Sequence, residues 1–356
     1  MPLWSMAFPR TRASSTSSPP FRRSTQPRSL RSSPTPHLPN TDDSAALARV
    51  AESTRVVITT VGPYALYGAP LVAACAAAGT DYLDLTGEPN WMHRTIAAHH
   101  ETARKTGARL VHSAGFDSIP FELGVLFCEE TARQKLGRYV PRVKGRVRAI
   151  QGGLSGGTAA SGAATMAAAQ KDPGVLGVLM DPFALTPGFR GPDQPRGDQP
   201  HHDEDVGAEV GPFMMAMINT KNVHRSNFLM GHPWGEDFAY DEMAIHVPGA
   251  PTEFTGLGEG GPKPGEGPTK EERENGFFDI LFVGVAPDGR QVRVSVKGDR
   301  DPGYGSTSKM LAEAALCLIK DCPETAGGVW TPGAAMGVKL IERLQANAGL
   351  TFAVEG

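Results

Sequence analysis

Apolar residues recur with helical and strand spacing from residue 41 onward, whereas residues 1–40 show neither period. Residues 44–53 read as a helix capped by Asp43, and the Val- and Ile-rich run at 55–61 is typical of a buried strand. The alternation continues with predicted helices at 67–78, 91–106 and 118–137 and predicted strands at 82–85 and 109–113. Strand and helix units repeating at this spacing predict an α/β fold with a parallel, doubly wound sheet of the Rossmann type.

The pattern changes at about residue 141, which predicts a second unit of α+β type with an antiparallel sheet. Residues 276–286 and 291–297 alternate apolar and polar positions on either side of Pro287-Asp288-Gly289, as in a hairpin. The Pro- and Gly-rich stretch at 174–205 reads as a long surface loop. Further elements are predicted as a strand at 147–153 and helices at 158–169, 306–320 and 334–345.

The first 40 residues differ in kind from the rest. They are dominated by Ser, Pro, Thr and Arg and contain no Asp, Glu or Lys, so they cannot build a core. We therefore expect three segments. These are a disordered, non-homologous segment at 1–40, a partial Rossmann-type NAD(P)-binding domain at 41–140, and an α+β substrate or dimerisation domain at 141–356.

Composition and charge argue against several classes of function for this chain. A net charge of −3 and a pI of about 6.4 give no attraction for nucleic acid. No apolar run reaches the ~18–20 residues that span a bilayer, so we expect a cytoplasmic protein without an integral membrane segment. Cys317 and Cys322 are five apart, which fits neither a C-x-x-C redox pair nor a zinc site. The acidic and His-rich run at 201–205 has adjacent side chains that cannot easily converge on one ion, so no metal site is expected.

Two glycine-containing stretches resemble nucleotide-binding motifs. Gly256, Gly258 and Gly261 match G-x-G-x-x-G, but they lie in a Gly- and Pro-rich run without a strand before or a helix after, so a flexible loop is predicted. Residues 155–158 (Ser-Gly-Gly-Thr) lie between a predicted strand and helix. They could hold a carboxylate or phosphate at the helix N-terminus, or simply cap the helix.

The ends of the three predicted parallel strands carry the candidate site. Ligands of open parallel sheets bind outside the carboxyl ends of the strands, and each of these ends combines glycine with polar or aromatic residues. For the Tyr and acidic side chains, packing or helix capping is the competing interpretation. The predicted cofactor-binding residues are Val61, Gly62, Pro63, Tyr64, Gly87, Glu88, Gly115, Phe116, Asp117 and Ser118.

These strand ends resemble the saccharopine dehydrogenase-like oxidoreductases, in particular the branch with bacterial trans-acting enoyl reductases. The motifs are T-V-G-P-Y-x-L-Y-G at 60–68, A-G-T-D-Y-x-D-L-T-G-E at 78–88, G-F-D-S-I-P at 115–120, K-P-G-E-G-P at 263–268 and T-P-G-A-A-M-G at 331–337. The resemblance implies a Rossmann domain that binds NADP(H) and a reductase acting on a conjugated C=C of a lipid-like thioester or on a C=N. It also allows a homodimer. It does not identify the catalytic proton donor.

The chain departs from this family at its beginning. Members open with a strand, a G-A-T-G-F-x-G turn and a helix that would bind the cofactor diphosphate, and residues 1–40 resemble none of these. A frameshift, a misplaced start or a targeting segment would each explain an Arg-rich, acid-free sequence. We expect NADPH binding to be weak in this chain. The alternative function is a non-catalytic member that binds a lipid or a protein partner.

Overall fold

The structure is a computed structural model, which describes residues 7–9 (backbone only), 43–246, 262–263 and 265–356. Gly256, Gly258 and Gly261, and the rest of residues 1–40, lie outside the described residues. The strands are β1 Ala7–Pro9, β2 Thr54–Ile58, β3 Asp81–Leu83, β4 Arg109–Val111, β5 Arg142–Gln151, β6 His201–Asp203, β7 Ala208–Pro212, β8 Ala239–Ile245, β9 Phe277–Val285, β10 Gln291–Gly298, β11 Gly328–Trp330 and β12 Leu350–Glu355. The helices are α1 Ser44–Ser53, α2 Tyr64–Tyr67, α3 Ala69–Ala78, α4 Pro89–Thr106, α5 Ile119–Leu136, α6 Gly156–Lys171, α7 Pro173–Met180, α8 Ala216–Leu229, α9 Lys270–Asn275, α10 Thr307–Lys320 and α11 Pro332–Asn347, with a π-helical turn at Pro302–Ser306.

The first sheet has the order β1-β2-β3-β4-β11. Strands β2, β3, β4 and β11 are parallel, and β1 pairs antiparallel with β2. The predicted parallel sheet of Rossmann type is thus confirmed. Strand β11 comes from the later part of the chain, so residues 41–140 do not build this sheet alone. Strand β1 lies within the segment predicted to be disordered and pairs with the edge of β2.

Glycine ends the helices that follow the parallel strands β2, β3 and β4, as the sequence predicts. Helices α3, α4 and α5 are followed by Gly79, Gly107 and Gly137, whose φ angles of 70°, 84° and 79° lie in the left-handed region. Glycine adopts this conformation without the clash of a Cβ atom. Each helix therefore ends in a sharp turn that leads toward the next strand of the chain.

The second sheet has the order β12-β10-β9-β5-β8-β7-β6 and is mixed. The predicted hairpin is confirmed as β9 and β10, with Gln291 opposite Val285. Most neighbours are antiparallel, as predicted for this unit, but β5 and β8 run parallel. This parallel pair arises because the chain crosses back through α6, α7 and α8 before it enters β8.

The two sheets share one hydrophobic core, in which α5 is the central helix. Helix α5 begins at the end of β4, and its Gly124 packs on the ring of Phe282 in β9. A Cβ at Gly124 would lie 2.2 Å from that ring, so only glycine permits this close approach. The carboxyl ends of the parallel strands are thereby fixed against the second sheet.

The prediction of a long surface loop at 174–205 is partly wrong, because this segment contains regular structure. It includes most of α7 and all of β6. Helix α7 forms despite its glycines because its apolar residues pack against α4 and α6. Asp203 in β6 is buried and paired with Lys144 and Arg146. Although burial raises its pKa, hydrogen bonds from these two cations lower it to about 2. This acidic run is part of a structural charge network on the second sheet.

Among the described residues, no helix has both the length and the apolar character that crossing a bilayer requires.

Candidate functional site

The loop after β2 is held by Tyr64, which is buried. Its hydroxyl donates to the carbonyl of Thr59 (3.1 Å) and accepts from the backbone N–H of Leu85 (3.2 Å). This phenol therefore joins the ends of β2 and β3. Burial raises its pKa well above the usual value, so the hydroxyl keeps its proton at neutral pH. Tyr64 therefore stabilises the conformation of these two strand ends.

Glu88 is fully buried, and both of its carboxylate oxygens are occupied. Oε1 accepts from the backbone N–H of Tyr64 (2.8 Å) and from the hydroxyl of Ser161 (2.7 Å), while Oε2 accepts from the N–H of Ala65 (2.8 Å). The carboxylate thus satisfies the free donors at the start of α2 and anchors α6 to them. Glu88 therefore caps a helix, which is the alternative to ligand binding that the sequence analysis considers for this residue.

A buried pair below the strand ends was not predicted. Asp84, after β3, lies 2.7 Å from Nδ1 of His112, after β4, and both side chains are inaccessible to solvent. Asp84 also accepts from the N–H groups of Thr86 (3.1 Å) and Ser113 (3.0 Å). Although burial raises the pKa of Asp84, His112 and these hydrogen bonds hold it below its usual value. The sequence feature that could have indicated this pair is the polar residue at the end of each apolar strand, in Y-L-D-L and L-V-H-S.

The turn from β4 into α5 is locked by contacts from the second half of the chain. The N–H of Phe116 donates to the hydroxyl of Thr307 (3.0 Å), and a Cβ on Gly115 would lie 3.1 Å from the methyl of Thr307. The hydroxyl of Ser118 donates to Glu122 (3.1 Å) and accepts from Asn222 (3.0 Å). Three of the four predicted residues in this turn are therefore fixed by structural contacts.

Asp117 differs from the other carboxylates of the site. It is partly exposed, and its carboxyl makes no hydrogen bond within the part of the chain that the structure describes. A Cβ placed on Gly87 would lie 3.2 Å from Oδ2 of Asp117, so the two predicted residues face each other. Desolvation raises the pKa of Asp117 to about 7. At neutral pH this carboxyl can therefore exist both protonated and ionised, and it is free to contact a ligand.

The wall opposite the strand ends is the start of α6. A Cβ on Gly62 would lie 3.3 Å from Oγ of Ser161, which brings this helix against the loop after β2. At its N-terminus, the hydroxyl of Ser155 accepts from the N–H of Thr158 (3.1 Å), and the N–H of Gly156 donates to the carbonyl of Glu266 (3.0 Å). These donors are used within the protein, which favours capping over anion binding at residues 155–158. The sequence analysis does not predict that Ser161 and Thr307 contact the candidate site.

The predicted residues thus lie together at one edge of the first sheet. Val61, Gly62 and Pro63 follow β2, Gly87 follows β3, and Asp117 follows β4. Buried side chains fix the conformation of this edge. Partly exposed glycine backbone lies there next to one titratable carboxyl. In the described ranges, no group of three or more His, Cys, Asp and Glu side chains could hold a metal ion.

Comparisons with known proteins give relatives that match over most of both sequences. A protein of Mycobacterium tuberculosis (strain H37Rv) with the provisional name trans-acting enoyl reductase is 38% identical over 344 residues, covering 86% of this chain and 82% of the relative. The trans-acting enoyl reductase of Mycobacterium ulcerans (strain Agy99) is 34% identical over 337 residues, covering 84% and 80%. Apo saccharopine dehydrogenase of Saccharomyces cerevisiae superposes with a TM-score of 0.49 at 10% identity, over 89% of this chain and 88% of that chain. No protein-family model matches.

The sequence relatives confirm the resemblance that the strand-end motifs predict. The identity extends over most of the chain and most of each relative, so it includes the parallel sheet and the second sheet alike. The chain belongs to the family of the trans-acting enoyl reductases.

Proposed function

We propose that the chain is a reductase of enoyl thioesters that uses NADP(H), with the nicotinamide placed at the ends of β2, β3 and β4. Support comes from the relatives, which are named enoyl reductases. These names favour a conjugated C=C over a C=N as the reduced bond. When bound, the cofactor would supply the hydride, and the protein would supply orientation and proton transfer.

The residues at the strand ends fit the nicotinamide end of such a cofactor. Gly62 and Gly87 are only partly buried, so a flat ring could contact their backbone on the sides that Ser161 and Asp117 leave open. Ser161 and Asp117 stand where Cβ atoms on these glycines would point. The buried Tyr64 and Glu88 keep both loops in place.

The observation that carries the proposal is the unpaired carboxyl of Asp117. Reduction of a conjugated C=C leaves the carbon next to the thioester carbonyl in need of a proton. A carboxyl with a pKa of about 7 is an efficient general acid at neutral pH. We assign Asp117 this role, because the other acidic residues at the strand ends, Asp84 and Glu88, are buried and fully hydrogen-bonded.

The diphosphate side of the cofactor has no counterpart among the described residues. Residues 1–40 lack the glycine turn that the family resemblance predicts there. We therefore expect weak NADPH binding by this chain, because a helix N-terminus with its free N–H groups is the usual diphosphate site. The second candidate, a non-catalytic lipid- or partner-binding protein, is favoured by the same feature.

Titration with NADPH, followed by fluorescence and thermal shift, tests this expectation. The full chain should bind more weakly than micromolar. A chimera in which residues 1–40 are replaced by the N-terminal segment of the M. tuberculosis relative should bind NADPH and reduce a 2-enoyl thioester of coenzyme A. Micromolar binding by the full chain would contradict the expected weak binding. A folded chimera without NADPH binding would refute the placement of the cofactor, and one that binds NADPH without turnover would favour the non-catalytic alternative.

A further inference from the structure

Two of the four cysteines lie side by side at the end of α10. The Sγ atoms of Cys317 and Cys322 are 3.8 Å apart, and both side chains are buried. Cys75 and Cys128 are buried as well, but no second cysteine contacts either of them within the described ranges. The spacing of five differs from that of a C-x-x-C motif, so the fold rather than a sequence motif brings these two thiols together.

Backbone hydrogen bonds at the end of α10 explain this contact. The carbonyl of Cys317 accepts from the N–H groups of Asp321 (2.8 Å) and Cys322 (3.2 Å). The chain therefore turns back at the end of the helix and brings Cys322 close to Cys317. Sulfur atoms in a disulfide are ~2.05 Å apart, so the two Sγ atoms need to approach by about 1.8 Å, which is a small local movement.

Arginine side chains of two neighbouring elements hold this turn in place. The guanidinium of Arg109, at the start of β4, donates to the carbonyls of Leu318 (2.9 Å) and Cys322 (2.7 Å). Arg343 of α11 pairs with Asp321 (2.8 Å), which lies between the two cysteines in sequence. The folded protein therefore keeps the thiols as neighbours, and a bond between them forms by an intramolecular reaction.

Cys322 lies next to exposed chain. Pro323 and Glu324 follow it directly in the segment between α10 and β11, and both are exposed. A small displacement of this segment would open the sulfur of Cys322 to a small solute.

The surrounding groups make Cys322 the sulfur that ionises more readily. Burial raises the pKa of both thiols, but at Cys322 a hydrogen bond from Cys317 and the charge of Lys339 oppose this effect. At Cys317 the neighbouring sulfur and Asp321 raise the pKa further. The charged side chains around the pair are Arg109, Asp321, Glu324, Lys339 and Arg343. Because the thiolate is the reactive form of cysteine, Cys322 is the expected attacking sulfur.

We propose that Cys317 and Cys322 are a modification site, at which a peroxide oxidises the two thiols to a reversible disulfide. The thiolate of Cys322 attacks one oxygen of hydrogen peroxide, the O–O bond breaks, and hydroxide leaves, so Cys322 becomes a sulfenic acid. The sulfur of Cys317 then attacks that of Cys322, and the hydroxyl group leaves as water with the proton of the Cys317 thiol. Two thiols and one peroxide thus give one disulfide and two waters. This inference is independent of the proposed reductase function.

Peptide mapping of the full chain tests the proposal directly. The reduced protein is treated with hydrogen peroxide under native conditions, its remaining thiols are alkylated after denaturation, and it is digested with trypsin. Cleavage after Lys309, Lys320 and Lys339 leaves Cys317 and Cys322 on separate peptides, 310–320 and 321–339. We expect these two peptides to be joined by a disulfide, whereas Cys75 and Cys128 should be recovered in alkylated form.

Alanine variants assign the two sulfur atoms. C75A/C128A is the matched control, and it should form the disulfide at the wild-type rate. C317A should leave Cys322 without its partner, so that its peptide gains one or two oxygen atoms. C322A should leave Cys317 largely unoxidised, because burial keeps this thiol protonated. Thermal melting of each variant verifies that it is folded, and the mapping of the wild type does not depend on any variant.

The pH dependence and the stability give further readouts. Below the pKa of a thiol its ionised fraction rises tenfold per pH unit, so the rate of disulfide formation should increase about tenfold from pH 7 to pH 8. The disulfide should raise the melting temperature by about 2–5 °C, because it restricts the unfolded chain. Dithiothreitol should reverse this increase, which distinguishes it from effects of methionine oxidation.

Three results would overturn the proposal. The wild type could yield peptides 310–320 and 321–339 only in alkylated form, or Cys75 and Cys128 could be oxidised as fast as the pair. The joined peptides could also appear only after the protein has been unfolded in urea, which would show that the native contact does not lead to a bond.

Discussion

At the scale of single residues, the two acidic residues predicted in the site have opposite roles. Glu88 uses both oxygens on backbone and serine donors, so it determines the position of α2 and α6. Asp117 has no such donors in the described residues and keeps a raised pKa of about 7. Desolvation without compensating hydrogen bonds thus leaves Asp117 as the carboxyl that can exchange a proton with a ligand.

The raised pKa of Asp117 predicts how stability depends on pH. In the unfolded chain this carboxyl ionises near the usual Asp value of ~3.9, but in the folded protein it does so only at about 7. The folded state therefore binds the proton more strongly, and the wild type loses stability as pH rises from about 4 to about 7. D117N removes this loss, so its melting temperature relative to wild type should increase across that range.

D288N is the control for this measurement. A hydrogen bond from Arg290 lowers the pKa of the exposed Asp288, so its stabilising contribution is present above the unfolded pKa and is lost as pH falls. Its melting temperature should approach that of the wild type on acidification. A constant difference between D117N and wild type from pH 4 to pH 8 would contradict the raised pKa of Asp117.

At the scale of elements, α5 and α6 use glycine for different reasons. Gly124 in α5 allows the helix to touch Phe282, whereas a Cβ added at Gly162 in α6 would have no neighbouring atom within 4 Å. Helix α5 fixes the strand ends to the second sheet. Helix α6 faces solvent at Gly162.

Alanine at these two glycines should have opposite effects on stability. G124A gains up to about 1 kcal/mol of helix propensity but incurs an overpacking cost of about 1–3 kcal/mol, since Phe282 is buried and cannot move aside. G162A should gain about 0.5–1 kcal/mol without a packing cost. Urea unfolding measures both free energies. A stabilised G124A would show that α5 does not pack this closely on β9.

At the scale of the whole molecule, distant motifs meet at Glu122. This buried carboxyl accepts from Ser118 (3.1 Å), from the N–H of Gly333 (2.6 Å) and from Ser226, which also lies 2.6 Å from Thr331. Burial raises the pKa of Glu122. The motifs G-F-D-S-I-P and T-P-G-A-A-M-G are therefore neighbours in space, which explains how α5, α8 and α11 are held together.

G333A should weaken this junction. A Cβ on Gly333 would lie 2.5 Å from Oε1 of Glu122, and the carboxyl cannot move away without losing its other hydrogen bonds. We expect a loss of about 1–3 kcal/mol in the free energy of unfolding. V338A, at an exposed position of the same helix, should change it by less than about 0.5 kcal/mol. Equal unfolding free energies for G333A and wild type would contradict the contact.

The sequence by itself determined the parallel sheet, the hairpin of β9 and β10, the glycine helix ends and the strand ends that form the candidate site. Each depends on local periodicity or on glycine conformation, which the chain carries within a few residues. Tertiary structure decided what the site residues do. It placed Ser161 and Thr307 beside loops far away in sequence, joined Asp84 to His112, and brought β11 into the first sheet. A carboxylate becomes a cap or an acid according to the donors around it, and most of those donors come from distant segments.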